Sequence, residues 1–552
     1  MADAQVVVVG AGPVGLTLAI ALGHLGVRCI LIERNAAPSG LPKMERCNAR
    51  TMEIYRRLGI VDAVRKAGFP QDAPMDVFVV TSLVEEPILR LPYGSVNECK
   101  ADIAAHNDGT RTLEPYQLIS QYTLEPLLKG IAEQDPNIDV RFGCEFVRFE
   151  DTGKQVVVTV HRTDGSEETI TADYLAGCDG GSSPVRKQLG IKLSGDGSML
   201  TLRQALFRCD DLYERIPIGK GRHYHVADEQ SGFIIVQDDT RHFTLHAVVE
   251  NDSDMPKLFE KLVGMPIKYE TLYIGQWTQH LLLADSYGRG RVFIAGDAAH
   301  LVIPTGGLGM NTGVGDAIDL AWKLQGSLAG WGGQHLLASY EVERRQIGAR
   351  NVAASGRANA GRRLWRSAWR PEIRNKTPEG AEIRANVARI ADKEQRKTNE
   401  ILGIEAGYRY VNSPLIWPEP GVGPDPDNPD YMPTTWPGAR LPHVWLKDGT
   451  AIHDRLGKDY TLLRFDNDRI DVSPIVSAFA DLGTPLDVFA LDDKHARDIY
   501  GYDLFLLRPD LHIVWRGNNA PDDPEWLAAV ATGHRQPPQP ALKNTEAKAL
   551  RV

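Results

Sequence analysis

Cysteine is scarce in this sequence. The six present, Cys29, Cys47, Cys99, Cys144, Cys178 and Cys209, include no CxxC pair and no histidine spaced to share a metal ion. That pattern excludes a disulfide framework and a zinc finger, and it predicts buried free thiols and no metal site. None lies beyond Cys209, so the C-terminal half carries no dithiol chemistry. An excess of positive charge is lacking too: 62 Lys and Arg against 72 Asp and Glu leave a net charge of -10. This argues against a nucleic-acid surface. The most apolar stretch, VVVVGAGPVGLTLAIALGHLG, is interrupted by Gly10, Gly12, Pro13 and Gly15 and has no basic flank before it, so it fits neither a signal peptide nor a membrane span. A cytoplasmic location is expected.

What is present reads as ordinary globular sequence, with 43% hydrophobic and 24% charged residues over 552 positions; that length predicts about two to four domains. The opening segments QVVVVG, AGPVG, LTLAIALGHLG and VRCILIE read as strand, glycine turn, helix and strand. Gly10, Gly12 and Gly15 form GxGxxG at the first turn, and Glu33 closes the second strand. In that setting Gly10 allows the tight turn and Gly12 lets backbone approach a pyrophosphate. Gly15 permits close helix packing, and Glu33 accepts from a ribose. The fingerprint alone does not separate FAD from NAD.

Two later segments repeat the theme. In ADYLAGCDGGSSPVRKQLGI a strand runs into Asp179 and Gly180, followed by Ser183 and Arg186. In GDAAHLVIPTGGLGMNTG a strand ends at Gly296 and Asp297, then a glycine-rich turn around Pro304 enters a helix near Asn311. The positive end of that helix and the N–H groups around Gly309, Met310 and Asn311 suit a ring that becomes anionic on reduction.

These three motifs, in this order and at these separations, resemble the single-component FAD-dependent aromatic hydroxylases, the group that includes para-hydroxybenzoate hydroxylase and phenol hydroxylase. The likeness spans roughly residues 1 to 400. It implies that Gly10, Gly12, Pro13, Gly15, Glu33 and Arg34 hold the ADP part of FAD, with Arg50 and Gln121 contributing nearby. Asp179, Gly180 and Arg186 match a motif implicated in FAD binding and NAD(P)H use; Gly296 and Asp297 match the ribityl site; Pro304, Gly307, Gly309, Met310 and Asn311 match the turn beside the flavin ring. One departure is Pro42-Lys43, where many relatives have Pro-Arg, and lysine lacks the bidentate fork of arginine. No second strand-GxGxxG-helix unit appears, so NAD(P)H is expected as a transient hydride donor without its own Rossmann domain. The Trp-x-Trp-x-Ile-Pro signature of flavin halogenases is absent.

The implied fold is α/β: a Rossmann-like FAD-binding domain (1–72, 116–190 and 286–400), an inserted antiparallel β-sheet substrate domain (73–115 and 191–285), a linker (401–443) and a thioredoxin-like C-terminal domain (444–552). The runs LRQALFRC, GFIIVQ, HFTLHAVV and TLYIGQW read as strands with one wet face. The arginines and glutamates after residue 334 read as a solvated helical face. The expected reaction is NAD(P)H- and O2-dependent hydroxylation of a phenolic ring through a C4a-hydroperoxyflavin. Alternatives are the same chemistry on a bulky polycyclic, polyketide or nitro-substituted aromatic, including Baeyer-Villiger or denitrating variants, and a silent flavin-binding protein. A phenol reacts best as phenolate, so a base or cation near its oxygen is needed. Candidates are Arg203, His223, Tyr224, His225, Gln237, His246 and Glu45; Arg203, Tyr224 and His225, with Pro304, form the expected catalytic set. Alternation puts His223 and His225 on one face and Tyr224 on the other. His300 is expected to be structural, and the partners are a small aromatic substrate and O2, with a homodimer by analogy.

Overall fold

The computed structural model describes residues 2–466 and 468–538. The four-valine run forms strand Ala4–Val9, which lies between Cys29–Glu33 and Glu167–Gly177 and is parallel to both. Ile138–Phe142 and Val292–Ile294 extend the parallel sheet outward on either side. Helix Pro13–His24 has no polar face because it is sandwiched, packing against helix Gly309–Leu328 as well as the sheet. Strands Cys144–Asp151 and Val156–Arg162 add an antiparallel flap to the first half of Glu167–Gly177.

The inserted sheet has seven strands in the order Glu270–Thr278, Thr201–Arg208, His242–Ala247, Phe233–Val236, His223–Val226, Val77–Val80 and Leu89–Leu91. Its alternation splits the side chains cleanly. Ala205, Phe207, Tyr224, Ile234, Phe243 and Leu245 join an apolar core with helix Asp254–Val263, whereas Gln204, His223, Phe233, Ile235, Thr244 and His246 turn the other way. That second face is not open to solvent as expected. Helices Gln334–Ser367 and Pro378–Asn399 cover part of it, where Gln395 Nε2 lies 3.0 Å from His225 Nε2 and the Arg366 guanidinium donates to the Ser231 carbonyl at 2.6 Å.

The C-terminal sheet runs Leu486–Ala490, Tyr460–Arg464, Leu504–Leu507 and Ile513–Gly517. Its first pair is parallel and the next two pairs are antiparallel, with helices Ser473–Asp481, Lys494–Tyr500 and Pro524–Ala531; this is a thioredoxin-like order without cysteines. The stretch 401–443 is no free tether. Tyr408, Tyr410, Ser413 and Leu415 are buried, and the Ser413 hydroxyl donates to Glu343 at 2.5 Å. Among the described residues, no helix is long and apolar enough to cross a membrane.

The face after residue 334 is solvated only in part: Arg345, Arg357 and Arg363 are exposed, but Glu343 and Arg344 are fully buried. Glu343 receives Lys323 Nζ and Arg508 Nη1, each at 2.6 Å. Arg508 also reaches Asp319 at 3.1 Å and Asp510 at 2.6 Å, joining the C-terminal domain to two helices of the FAD domain. Removing one member of a buried ionic cluster strands the others without counter-charge. Arg508→Met is therefore expected to destabilise the protein by about 3 kcal/mol or more, seen as a lowered midpoint in thermal denaturation. An unchanged midpoint would show that the cluster contributes nothing net.

Candidate active site

A cavity of about 530 Å³ runs between the N-terminal sheet and the inserted sheet. Its first half is built from the glycine turn. Gly10 takes a left-handed φ of +101°, and a Cβ there would meet the Cys178 carbonyl at 2.5 Å. At Gly15 a Cβ would fall 1.9 Å from the Gly10 carbonyl, so this glycine sets how closely helix and strand approach. Pro13 opens the helix, and no side chain caps its first N–H groups. Glu33 and Arg34 line the same half, and the Glu33 carboxylate accepts from Ala11 N–H at 3.0 Å. Gln121 lies here with its Nε2 on Glu125 at 2.6 Å, and Lys43 is also on the wall.

The middle of the cavity is lined by Asp179, Gly180, Asp297, Pro304, Gly307, Gly309, Met310 and Asn311. Asp179 accepts from Val185 N–H at 3.0 Å through Oδ2, while its Oδ1 is buried without a partner among the described residues. Asp297 is accessible from the cavity but enclosed by protein, and that burial raises its carboxyl. Asn311 pins the loop. Its Oδ1 accepts from Asn48 N–H at 2.9 Å and Thr51 Oγ1 at 2.7 Å, and its Nδ2 donates to the Arg46 carbonyl at 3.0 Å and the Gly307 carbonyl at 2.6 Å.

The far half presents the inserted sheet. Phe233 stacks on His246 with ring centroids 4.6 Å apart and planes 5° from parallel. Trp277 stands edge-on to His246 at 5.9 Å, its Nε1 donating to His246 Nδ1 at 3.1 Å. Burial brings the His246 ring down to about 3, so it is a neutral acceptor. Gln237 Nε2 donates to Thr244 Oγ1 at 3.0 Å. Opposite, His223 Nε2 lies 2.8 Å and 2.9 Å from the two Glu45 oxygens. Burial raises the Glu45 carboxyl, but His223, Arg222 and Arg46 outweigh it and hold it low. Burial depresses the His223 ring in spite of Glu45. A neutral imidazole donating its Nε2–H to a carboxylate satisfies both tendencies.

Residues 3–355 match the family described as FAD binding domain, and residues 434–535 match the family described as aromatic-ring hydroxylase, C-terminal. The chain belongs to the FAD-dependent aromatic-ring hydroxylases. It is similar to the FAD-dependent monooxygenase apdD of Emericella nidulans, with 34% identity over 568 residues covering 96% of this chain and 90% of that one. It is 30% identical over 554 residues to aklavinone 12-hydroxylase RdmE of Streptomyces purpurascens, covering 94% and 96% of the two chains. The rebeccamycin biosynthetic enzyme RebC with reduced flavin has the same fold, with a TM-score of 0.87, 30% identity and coverage of 96% of this chain and 99% of that one. This hydroxylase uses FAD, with NAD(P)H and O2 as the co-substrates typical of the family. The unpartnered Asp179 Oδ1, the uncapped helix start at Pro13 and the glycine turn that no Cβ could replace fit such a cofactor.

Several expected site residues lie elsewhere. Arg50 turns away from the cavity and meets Glu53 at 3.5 Å and the Asp510 carbonyl at 3.1 Å, bracing the C-terminal domain. Arg186 sits behind the wall, donating to the Ala298 and Gly181 carbonyls at 2.9 and 2.8 Å, and so holds two cavity loops together. Gly296 is also behind the wall, its φ of +62° facing Val14. Tyr224 is core: its ring stacks on Phe78 at 5.1 Å and its hydroxyl donates to the Gly219 carbonyl. Arg203 lies on the opposite face of its strand from Gln204 and pairs with Asp252 at 2.7 Å. His225 shares the face of His223 but is sealed between Phe233 and Trp365. His300, expected to be structural, is buried and binds the Asp316 side chain at 2.8 Å.

Sequence reasoning missed Gln204, Arg222, Trp277 and Arg362, all of which line the cavity. Gln204 and Trp277 could have been found from strand parity once Tyr224 was assigned to the core; Arg362 carries no local signal. The sharpest local constraint is at Gly15. Gly15→Ala is expected to lower FAD content to about a tenth of wild type or less, because the helix must move off the strand. The ratio of flavin to protein absorbance in purified protein checks this, and full occupancy would contradict it.

Proposed function

We propose that this protein hydroxylates a phenolic ring within a fused-ring, polycyclic or polyketide-type aromatic. The carrying observation is the row Phe233, His246 and Trp277, whose successive centroids lie 4.6 and 5.9 Å apart. That platform is longer than one benzene ring and offers ring faces and edges to a flat ligand. The similarity to aklavinone 12-hydroxylase and to a putative polyketide hydroxylase of Streptomyces halstedii supports this reading over a simple phenol.

When bound, FAD supplies the redox chemistry, taking hydride from NAD(P)H and activating O2 for transfer of one oxygen atom. Gly10, Gly12, Pro13 and Gly15 with Glu33, Arg34 and Gln121 would hold its ADP portion, the helix start offering N–H groups to the diphosphate. Asp179, Gly180 and Asp297 would take the ribityl and adjoining groups, and Pro304 with Gly307–Asn311 would border the ring. Glu45 accepts the hydrogen bond of the substrate hydroxyl, while the Arg46 and Arg222 guanidiniums beside it favour phenolate character at that oxygen. A carboxylate held low is a poor proton acceptor, so its part is orientation. Helices Gln334–Ser367 and Pro378–Asn399, which cover part of the sheet face, limit the water that reaches the reacting ring.

The test is NAD(P)H oxidation by FAD-loaded protein with phenol, 2-naphthol and 1-hydroxyanthraquinone under labelled dioxygen, with hydrogen peroxide measured alongside. The expected result is faster oxidation with the fused rings, about tenfold or more over phenol, and one labelled oxygen in the product. Efficient coupling on phenol with none on the fused rings would overturn the assignment.

A further inference from the structure

The arginines around the substrate half of the cavity are answered by protein, with one exception. Arg46 donates to Glu405 and to the Gly306 carbonyl, each at 2.7 Å. Arg222 donates to the Asn399 side-chain carbonyl. Arg366, one helical turn past Arg362, is satisfied by the Ser231 and Gly232 carbonyls at 2.6 and 3.3 Å. Arg362 reaches the same cavity from helix Gln334–Ser367 and packs over the Phe233 ring at 5.2 Å. Among the described residues its guanidinium makes no hydrogen bond or ion pair, whereas Arg46, Arg222 and Arg366, whose Nε atoms are likewise unpaired, each donate through an Nη. Glu45 is the one carboxylate whose field favours its charge, and no hydrogen bond joins the two among the described residues. Burial accordingly brings the Arg362 guanidinium down to about 10.

A guanidinium that faces an enclosed cavity with no protein counter-charge bonded to it is left for the anion of a ligand to answer. The planar fork of arginine matches a carboxylate in two parallel hydrogen bonds. The cation stands beside the Phe233 end of the aromatic platform, so ring and anion belong to one ligand. We propose that Arg362 is the anion-recognition residue of the substrate site and that the substrate is an aromatic acid, carrying a carboxylate beside the rings that lie on Phe233 and His246. This rests on the assignment of that half of the cavity to substrate. A single unanswered guanidinium suits one carboxylate, whereas a phosphate dianion would call for more cations than the site leaves free.

The experiment titrates FAD-loaded enzyme with three probes of one ring system, 3-hydroxy-2-naphthoate, its methyl ester and 2-naphthol, following perturbation of the flavin absorbance. The acid is expected to bind about tenfold more tightly than the ester or the naphthol. Arg362→Gln is expected to abolish that preference while leaving the 2-naphthol Kd within about twofold of wild type, and Arg362→Lys to restore part of it. Unchanged 2-naphthol binding shows that the variant is folded and its cavity intact. Equal binding of acid and ester by wild type, retained preference in Arg362→Gln, or a change confined to the KM for NADPH would each overturn the proposal. Selective binding of the acid without any oxygen transfer would leave Arg362 as an anion site and count against the hydroxylation reading instead.

Discussion

Asp316 lies inside helix Gly309–Leu328 with no exposed surface, and three donors from two other segments reach it. Gly296 N–H arrives at 3.1 Å, His300 Nε2 at 2.8 Å and Arg344 Nε at 2.8 Å. Burial alone raises such a carboxyl, but Arg344 and His300 outweigh it and hold Asp316 below its ordinary value. The loop that carries Asp297 is thereby fixed at both ends of its turn. Arg344 extends the hold to the Thr312 carbonyl at 3.0 Å and the Tyr410 hydroxyl at 3.2 Å. Two helices, the loop and the crossing segment thus share one buried charge, and the cavity wall follows from where they meet.

The same two helices carry a second cluster. Asp319 and Lys323 follow Asp316 at helical spacing, and Glu343 adjoins Arg344, so the charges that face the C-terminal domain are neighbours of those that face the flavin loop. Arg508 closes that second cluster from outside the FAD domain. Buried ion pairs are weak sources of net stability but strong determinants of geometry, since every misplacement leaves a charge unpaired. A domain without cysteines, none of whose residues line the cavity, is in this way tied to the helix whose first turn lines it.

Legibility in the sequence follows the range of the physical constraint. Gly10, Gly15 and Asp179 were readable because a tight turn, a close helix approach and an acid at a strand end are local requirements that leave local patterns. The alternation of the inserted strands was readable as well, but not its phase: Tyr224 and Arg203 were placed in the site although parity puts them on the far face from His223 and Gln204. Arg50 and Arg186 have the right sequence neighbours for a cofactor contact, yet each is captured by carbonyls of another segment. Arg362 has the same local sequence signal as the surface arginines of a long charged helix, because its place at the cavity depends on Phe233, 129 positions earlier in the chain (362 − 233). Glu45 was a marginal candidate on sequence and becomes central only through His223 across the cavity.

The Asp316 carboxylate organises the proposed FAD-binding wall by charge. Asp316→Asn preserves size and removes the charge, leaving Arg344 without its counter-ion in a buried site. The most direct measurement is the FAD dissociation constant of the apoprotein by fluorescence titration, with circular dichroism confirming that the fold persists. Affinity weakened about tenfold or more is expected. Wild-type affinity in a folded Asp316→Asn protein would contradict it.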